Sequence, residues 1–439
     1  MHTPRGRLTR ALKPAACGAA ALALLVGAAG AGAGPAGASA RGKPKTVINF
    51  AKYVGGHGAA SSKLAPVYIG VVNQRTSTAA IAPVFTTGAK LAQQFLNQHA
   101  HGIDGHPVRL VFCAIPTTVA SATKCGQQFA NDPRVSAVVA GAVDVGNTAL
   151  ESALGPSRKP IFFGVSLSTV DDKDSHGFIL FGTGTSIAAP QATFAKKLHA
   201  KSVSITYPSN QPAEVEGANI LYDALRYEGV KKVYKVGYTS ADTNLTVPME
   251  AAHVATSTLL IAYNSGGPVC SDTYLTLKSL GLTNKEVLTN GPCLTPTIAK
   301  ADGGQLPLGW YYAQVFESAS GASTPSVDTF QKIAKGYGMV AQSFNPWTMA
   351  AFGQMLTLAR LETRVLKAHK KLTPATVTAA AKAFRGPVAM GAPTVHCGGF
   401  PATGPAVCTD VSRYYQNTAP TVLKLIGNWI GPPKGFKRP

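Results

Sequence analysis

Charged residues are scarce in this chain, and acidic residues are the scarcest of them. Of 439 residues, 20 are Asp or Glu and 41 are Lys or Arg; charged residues make up 14% of the chain, against 45% hydrophobic residues. This balance excludes a disordered polyelectrolyte and favours a packed globular protein, long enough for two or three domains. The local cluster of carboxylates at Asp171, Asp172 and Asp174 is interpreted as a solvated turn.

Motifs for catalysis and for cofactor binding are also missing. There is no phosphate-binding loop with Gly-Lys-Ser/Thr, and GTGTS at 182–186 lacks the spacing of a dinucleotide-binding fingerprint. The segment GVSLS at 164–168 lacks the second glycine of a nucleophile elbow. A hydrolase on an α/β scaffold is an alternative function, and a hydrolytic activity that Ser166→Ala abolishes would support it. No C-x-x-C motif occurs, and the scattered histidines lack a cysteine or carboxylate at metal-ligand spacing. We therefore expect no enzyme, no cofactor and no metal.

Long apolar runs are absent after residue 40, and the run before it has the features of a signal peptide. Four basic residues within the first 13 precede an apolar segment rich in alanine and glycine, and Ala38-Ser39-Ala40 has the form of a cleavage site. Residues 1–40 are predicted to be a signal peptide, so the protein is expected to be exported, either extracellular or associated with the cell envelope. A single membrane anchor is the alternative. Cys17 precedes the apolar segment, where it offers no attachment point for a lipid.

The net charge stays strongly positive without the predicted signal peptide. Its removal leaves 37 basic against 20 acidic residues, a formal net charge of +17. The basic residues are scattered and no aromatic-basic motif accompanies them, so nucleic acid is not an expected partner. Attraction to acidic polymers of the envelope is equally compatible with this charge.

Six of the seven cysteines follow the predicted signal peptide, and an even number in an exported chain suggests disulfides. Six cysteines allow 15 pairings, and free buried thiols are the alternative. Order along the chain favours Cys113–Cys125, Cys270–Cys293 and Cys397–Cys408. The first bridge would attach the end of a strand to the following helix.

Short apolar segments alternate with amphipathic ones, which is typical of an α/β fold. VYIGVV at 67–72 and VRLVF at 108–112 are predicted strands, and the segment between them has helical periodicity. The rhythm restarts after residue 186, with SVSITY at 202–207 as a strand. Continuously apolar strands separated by helices predict parallel sheets covered on both faces. Two such sheets in succession favour a ligand site at the strand ends, in the cleft between two lobes.

The order of these segments resembles type I periplasmic solute-binding proteins of the branched-chain amino acid (Leu/Ile/Val) ABC-transporter family. The resemblance rests on the opening at 67–112, on VSAVVAGAVDVGNTAL at 135–150 with KPIFFGVSLST at 159–169, and on FNPWTMAAFGQMLTLARLE at 344–362. It covers roughly residues 66–430. It implies a two-lobed type I periplasmic-binding-protein fold of the α/β class, in which each lobe is a parallel sheet flanked by helices and the lobes are hinged.

A division of the chain follows from this resemblance. After the predicted signal peptide, residues 41–65 are expected to be a flexible lead-in. Lobe 1 is predicted at 66–182 plus about 311–388, and lobe 2 at 183–310 plus about 389–430.

The resemblance also implies that strand-end loops of the first lobe hold the ligand through hydroxyls and backbone groups. Carried over by position, these loops supply Asp144, Val145, Ser166, Leu167 and Ser168. Backbone N–H groups and serine hydroxyls suit a carboxylate, and a helix that starts near residue 147 adds a favourable dipole. An alternative of equal weight is that the serines only form turns.

The loops of the second lobe supply five further candidates: Glu214, Asp242, Asn244, Tyr263 and Asn264. Here the chain departs from the family pattern, because residues 213–217 replace a Tyr-Gly-x-Gly-like segment. A few placed polar groups set specificity, so this departure leaves the identity of the solute open.

The resemblance implies an extracytoplasmic protein that captures a small polar ligand, an amino acid or an amide-like compound. It would bind the ligand in the cleft between its lobes, close by hinge motion and deliver it to an ABC permease, as a monomer. The alternative is a secreted ligand-sensing or envelope-associated module with the same fold and no transport role.

Overall fold

The computed structural model describes most of the chain after residue 45. The described residues are 46–74, 82–116, 118–141, 143, 146–155, 159–164, 166, 169–264, 267–294, 296–318, 322–400, 404–419 and 422–437. The predicted signal peptide lies outside them. Within these ranges, no helix is both long and apolar enough to cross a bilayer.

Five parallel strands form the first sheet, in the order β2-β1-β3-β4-β5. They are β1 (Val67–Gln74), β2 (Val108–Ile115), β3 (Val135–Ala140), β4 (Ile161–Phe163) and β5 (Gly177–Ile179). Every residue of β3 and β4 is buried, as expected for strands that are covered on both faces. The predicted parallel sheet is confirmed.

Seven strands form the second sheet, in the order β12-β11-β10-β9-β8-β6-β7. They are β6 (Ser202–Pro208), β7 (Lys232–Tyr238), β8 (Leu259–Ala262), β9 (Val287–Asn290), β10 (Tyr311–Gln314), β11 (Arg413–Ala419) and β12 (Val422–Leu425). The first five are parallel, and β11 and β12 add an antiparallel edge. The predicted division assigns β10 to lobe 1, but this strand hydrogen-bonds within the second sheet, so the lobe boundary is better drawn after residue 314.

Helices alternate with the strands and pack on the two sheets. They are α1 (Phe50–Val54), α2 (Ala82–His99), α3 (Val119–Asn131), α4 (Asn147–Ala153), α5 (Thr169–Lys173), α6 (Ala188–Lys197), α7 (Pro212–Tyr227), α8 (Thr246–Ala251), α9 (Gly267–Ser279), α10 (Pro296–Ala301), α11 (Pro325–Gly336), α12 (Pro346–Lys367) and α13 (Pro374–Ala383). The longest, α12, begins with Asn345 as its cap, whose side chain accepts hydrogen bonds from the N–H groups of Trp347 and Thr348. It packs against α2, so a late part of the chain returns to the first lobe.

Three crossover segments join the two sheets: residues 180–187, 315–324 and 388–412. They contact one another, because the N–H of Glu317 donates to the carbonyl of Met390 over 2.9 Å and the ring centres of Phe181 and Phe316 lie 5.7 Å apart. The hinge predicted between the two lobes therefore corresponds to crossover segments whose described residues contact one another.

The expected flexible lead-in is wrong for residues 46–65. Asn49 caps α1, and four of the five residues of this helix are buried. The hydroxyl of Tyr53 donates to the carbonyl of Pro387 over 2.8 Å, and the guanidinium of Arg360 lies 4.5 Å from its ring centre. The segment is an integral part of the first lobe.

All three predicted disulfides are present: Cys113–Cys125, Cys270–Cys293 and Cys397–Cys408. The first joins β2 to α3, as expected. The second joins α9 to the short helical turn Gly291–Cys293 that follows β9. The third lies within the crossover segment at 388–412.

Candidate functional site

The candidate site lies where the carboxyl ends of the parallel strands meet the crossover segments. In open parallel sheets this edge binds ligands, because loops from neighbouring strands converge there. Four of the candidate residues, Asp144, Val145, Leu167 and Ser168, lie outside the described residues. The other candidates can be located.

Ser166 follows β4 and contacts both α5 and the first crossover segment. It is 2% exposed and pairs through its backbone with Thr183 of the first crossover segment. Its side chain also hydrogen-bonds to the carboxylate of Asp171. Ser166 is thus fixed by polar contacts at the strand end where the sequence predicts ligand binding.

Asp171 connects both predicted ligand loops of the first lobe. Its Oδ1 accepts a hydrogen bond of 2.7 Å from the amide of Asn147, the first residue of α4, in addition to the contact with Ser166. Burial raises the pKa of Asp171 to about 6, against the lowering effect of the hydrogen bonds from Asn147 and Ser166. The sequence did not single out this residue as part of the site.

The carboxylate cluster is not the solvated turn that the sequence suggests. Asp171, Asp172 and Asp174 are 1%, 3% and 4% exposed. The hydroxyl of Thr185 donates to Asp172 over 2.9 Å, and the N–H of His176 donates to Asp174 over 2.9 Å. Asp171 and Asp172 thus have hydrogen-bond partners from other segments, whereas the bond to Asp174 is local.

Tyr263 follows β8 and contacts the first crossover segment. Its ring is fully buried, and its hydroxyl donates to the carbonyl of Gly184. The ring lies against α7 at Gly217, where a Cβ atom would be 2.2 Å from the tyrosine oxygen. Only glycine allows this approach, so the predicted site residue Tyr263 attaches the second sheet to the hinge.

Glu214 and Asn264 are both close to Tyr238, at the end of β7. Burial raises the pKa of Tyr238, the neighbouring side chain of Asn264 lowers it, and the charge of Glu214 raises it. Asn264 also accepts a hydrogen bond of 3.2 Å from Thr289 of β9. Two predicted residues thus share one buried polar cluster at the carboxyl edge of the second sheet.

Asp242 and Asn244 do not join this cluster. Both are exposed in the connection between β7 and α8. Asp242 accepts from the N–H of Thr239 over 2.9 Å, and Asn244 accepts from the N–H of Thr246 over 3.0 Å. Such local side-chain to backbone bonds are those of turn residues.

Three buried amide side chains at the same edge escaped the sequence reasoning. Gln191 of α6 donates to Asn290 at the end of β9 over 2.6 Å, and Gln314 ends β10 against the backbone of Gly291. Polar residues at the end of otherwise apolar strands were the signal that could have indicated Asn290 and Gln314. Gln191 has no such signal in the sequence, because it lies within helix α6 and not at the end of a strand.

A buried ion pair lies in the hinge itself. Arg413, the first residue of β11, contacts the carboxylate of Glu317 in the second crossover segment. The hydroxyl of Thr324 donates to the same carboxylate over 3.1 Å. Burial raises the pKa of Glu317, while the charge of Arg413 lowers it. The pair links the crossover segment to the second sheet.

Two cavities of the described residues lie to the sides of these strand ends. One of about 940 Å³ lies between α1, α2 and α11, on the outside of the first lobe. Another of about 400 Å³ lies at the start of α7 and is lined by Ser209, Asn210 and Glu216. The second borders the carboxyl edge of the second sheet, and Val215, the neighbour of Glu214 in the sequence, also lines it.

Solved structures with a similar fold are substrate-binding proteins. A leucine-binding protein LivK from Thermotoga maritima has a TM-score of 0.64 and 16% identity, over 83% of this chain and 99% of its own. LivJ from Streptococcus pneumoniae, in complex with isoleucine, has a TM-score of 0.61 and 15% identity, over 82% and 99%. A solute-binding protein of an ABC transporter from R. palustris, in complex with 4-hydroxybenzoate, has a TM-score of 0.65 and 18% identity, over 84% and 98%. At these identities the likeness concerns the fold.

The sequence itself matches a family model. The family model described as periplasmic binding protein matches residues 66–411, which is most of the chain. No functionally curated protein matches the chain. With two helix-covered, mainly parallel sheets and three crossover segments, the chain belongs to the periplasmic binding protein family, as its sequence resemblance predicts.

Proposed function

We propose that this protein captures a small polar solute, an amino acid or an amide-like compound, between its two sheets and delivers it to an ABC permease. Membership of the periplasmic binding protein family gives the general activity, which is capture of a solute. The observation that supports the finer proposal is the set of neutral hydrogen-bonding side chains at the strand ends.

Amide and hydroxyl side chains lie at or just after the carboxyl ends of five described strands of the two sheets. Gln74 ends β1, Ser166 follows β4, Asn264 follows β8, Asn290 ends β9 and Gln314 ends β10. Carboxamides and hydroxyls both donate and accept hydrogen bonds. They suit the carboxylate and ammonium groups of a zwitterion or the two halves of an amide better than a strongly charged solute.

Hinge motion supplies the step between capture and delivery. The described residues of the crossover segments contact one another, and Tyr263 and Arg413 attach the second sheet to them. A solute that contacts both lobes binds the closed form more tightly than the open one, so it shifts the population towards closure. A permease that recognises the closed form would then receive loaded protein.

The experiment is a thermal-shift panel of amino acids, amides and urea on the protein without residues 1–40. A solute at 100 times its dissociation constant is expected to stabilise the protein by about 2.7 kcal/mol. No shift with any of these solutes would contradict the proposal.

The Ser166→Ala variant tests the position of the site. We expect about tenfold weaker solute binding, because one hydrogen bond to a polar ligand is lost. Ser279→Ala is the matched control, since the Ser279 hydroxyl donates to the carbonyl of Thr276 at the end of α9. Equal affinities of the two variants would exclude Ser166 from the site.

A further inference from the structure

A groove on the outer face of the second lobe is separate from the strand-end site. It has a volume of about 620 Å³ and lies between the C-terminal half of α6 and the segment that follows β12. We call it the tail groove. Its lining includes Lys196, Lys197, Glu228, Trp429 and Lys434. The hydroxyl of Tyr227, at the end of α7, donates to the carbonyl of Lys434 over 3.1 Å and so fixes the position of this segment.

The charge of the tail groove is positive. Glu228 is the one acidic residue of its lining, and Lys196 pairs with it over 2.5 Å. Within the described chain, no carboxylate lies at ion-pair distance from Lys197 or Lys434, and both lysines are exposed.

Further basic residues lie close to the segments that line the groove. Arg226 and Lys231 are exposed next to Tyr227, and the side chain of Arg226 bonds to the carbonyl of Lys231. Lys437 follows Phe436, whose ring lies 5.5 Å from that of Tyr227. A concave surface with clustered cations attracts anions, because the charges act together.

An aromatic ring lies among the lysines. Trp429 lines the groove, and its ring is positioned by the guanidinium of Arg413, 5.3 Å from the ring centre. The face of a tryptophan ring packs against the apolar face of a sugar ring, while neighbouring lysines pair with acidic substituents. We propose that the tail groove binds an acidic carbohydrate polymer of the cell envelope and thereby holds this exported protein near its site of action.

The shape of the groove favours a polymer chain over a lipid surface. A bilayer presents an almost flat surface, and proteins that bind it insert large apolar side chains. The described lining of the groove consists of lysines, Trp429, a threonine, Glu228 and a Gly-Pro-Pro segment with Ile430, which is buried. A linear chain of charged sugars fits such a concave site.

Binding of the protein without residues 1–40 to immobilised polygalacturonate tests the proposal, with uncharged dextran and polyglutamate as reference polymers. We expect salt-sensitive binding to polygalacturonate, at least fivefold weaker binding to polyglutamate and none to dextran. The double variant Lys197→Gln/Lys434→Gln is expected to weaken polygalacturonate binding about five- to tenfold. Trp429→Leu is expected to weaken binding to polygalacturonate, and not to polyglutamate.

The matched control is Lys370→Gln/Lys371→Gln, which removes the same charge from exposed residues after α12. Equal weakening by both double variants would overturn the proposal, because net charge alone would then explain binding. Groove-dependent binding to phosphatidylglycerol vesicles with none to polygalacturonate would also overturn it. Thermal midpoints of all variants check that they fold. Since no step of this test uses the solute, its outcome is independent of the proposed transport function.

Discussion

Glu362 is a carboxyl group enclosed in the core of the first lobe. It lies on α12, is fully buried, and accepts a hydrogen bond from the hydroxyl of Ser136 on β3. Burial raises its pKa to about 8, against the lowering effect of Ser136. In the folded protein Glu362 therefore keeps its proton at pH values at which the unfolded chain, whose carboxyl pKa is ordinary, has already released it.

This difference predicts a loss of stability as the pH rises. The contribution of Glu362 to the free energy of unfolding is fully present below the pKa that its carboxyl group has in the unfolded chain. It is lost progressively as the pH rises to about 8. One extra bound proton corresponds to about 1.4 kcal/mol per pH unit. Glu362→Gln cannot ionise, so we expect its free energy of unfolding to fall less between pH 5 and 8 and to exceed the wild-type value at pH 8. Urea unfolding at both pH values measures this.

Glu250→Gln is the control for that series, because Glu250 is exposed on α8. It should follow the wild-type pH dependence. A Glu362→Gln curve parallel to the wild type would mean that Glu362 is already ionised in the folded protein.

Burial of single carboxylates could not be predicted from the sequence. Asp171, Asp172 and Asp174 are close in sequence, which suggests a solvated turn, yet their burial depends on distant segments. The hydroxyl of Thr185 and the backbone around Gly404 both pack against Asp172. For the same reason the role of Asp171 beneath Ser166 became visible only in the fold.

At the scale of elements, the contact of α7 with Tyr263 can be tested at one position. Gly217→Ala would place a Cβ atom 2.2 Å from the tyrosine oxygen. Because the tyrosine is fully buried, we expect a loss of about 1–3 kcal/mol in the free energy of unfolding. Solute affinity should fall as well, because Tyr263 also bonds to the first crossover segment.

Gly336→Ala is the matched helix substitution, at the end of α11, where no atom lies within 4 Å of the added Cβ. There the change should be neutral or stabilising by up to about 0.5 kcal/mol, because alanine favours a helix more than glycine does. If Gly217→Ala is equally harmless, Tyr263 moves freely and does not connect α7 to the hinge.

Elements with strong patterns were predicted, and the short helix α1 was not. Continuous apolar runs such as 67–72 identify buried strands, and the segment between the strands predicted at 67–72 and 108–112 has helical periodicity. In contrast, α1 has five residues and depends on tertiary contacts, such as that of Tyr53 with Thr357 of α12 over 3.1 Å. Short helices are marginal in isolation, so no local pattern announces them.

At the scale of the whole molecule, the ion pair of the hinge is expected to be important for stability. Arg413→Gln would leave the buried carboxylate of Glu317 without its charged partner. We expect a loss of about 3 kcal/mol, at the lower end of the range for such pairs, because the carboxyl group can take up a proton. Denaturant unfolding at pH 7 measures the change.

Arg134→Gln is a close control. Arg134 pairs with Asp132 over 2.7 Å, its side chain is 58% exposed, and it also lies over an aromatic ring, that of Tyr68. An exposed pair contributes about 0–1 kcal/mol, so this variant should be nearly neutral. Similar losses in both variants would show that the hinge pair has no special role.

The sequence was sufficient for the architecture and not for the ligand site. Strand-helix alternation and the resemblance predict two parallel sheets in order, and the order of the cysteines along the chain predicts the three disulfides. The second-lobe site depends on side-chain packing, which buries Tyr263 and Asn264 and leaves Asp242 and Asn244 in a turn. The lobe boundary after β10 depends on strand pairing with β9 and β11.

Small-angle X-ray scattering with and without the solute that raises the thermal midpoint most is the direct test of closure around a ligand. If two lobes close on one small polar molecule, the radius of gyration should decrease on saturation with one solute per chain. A solute that binds with an unchanged scattering curve would contradict the hinged capture proposed for this protein.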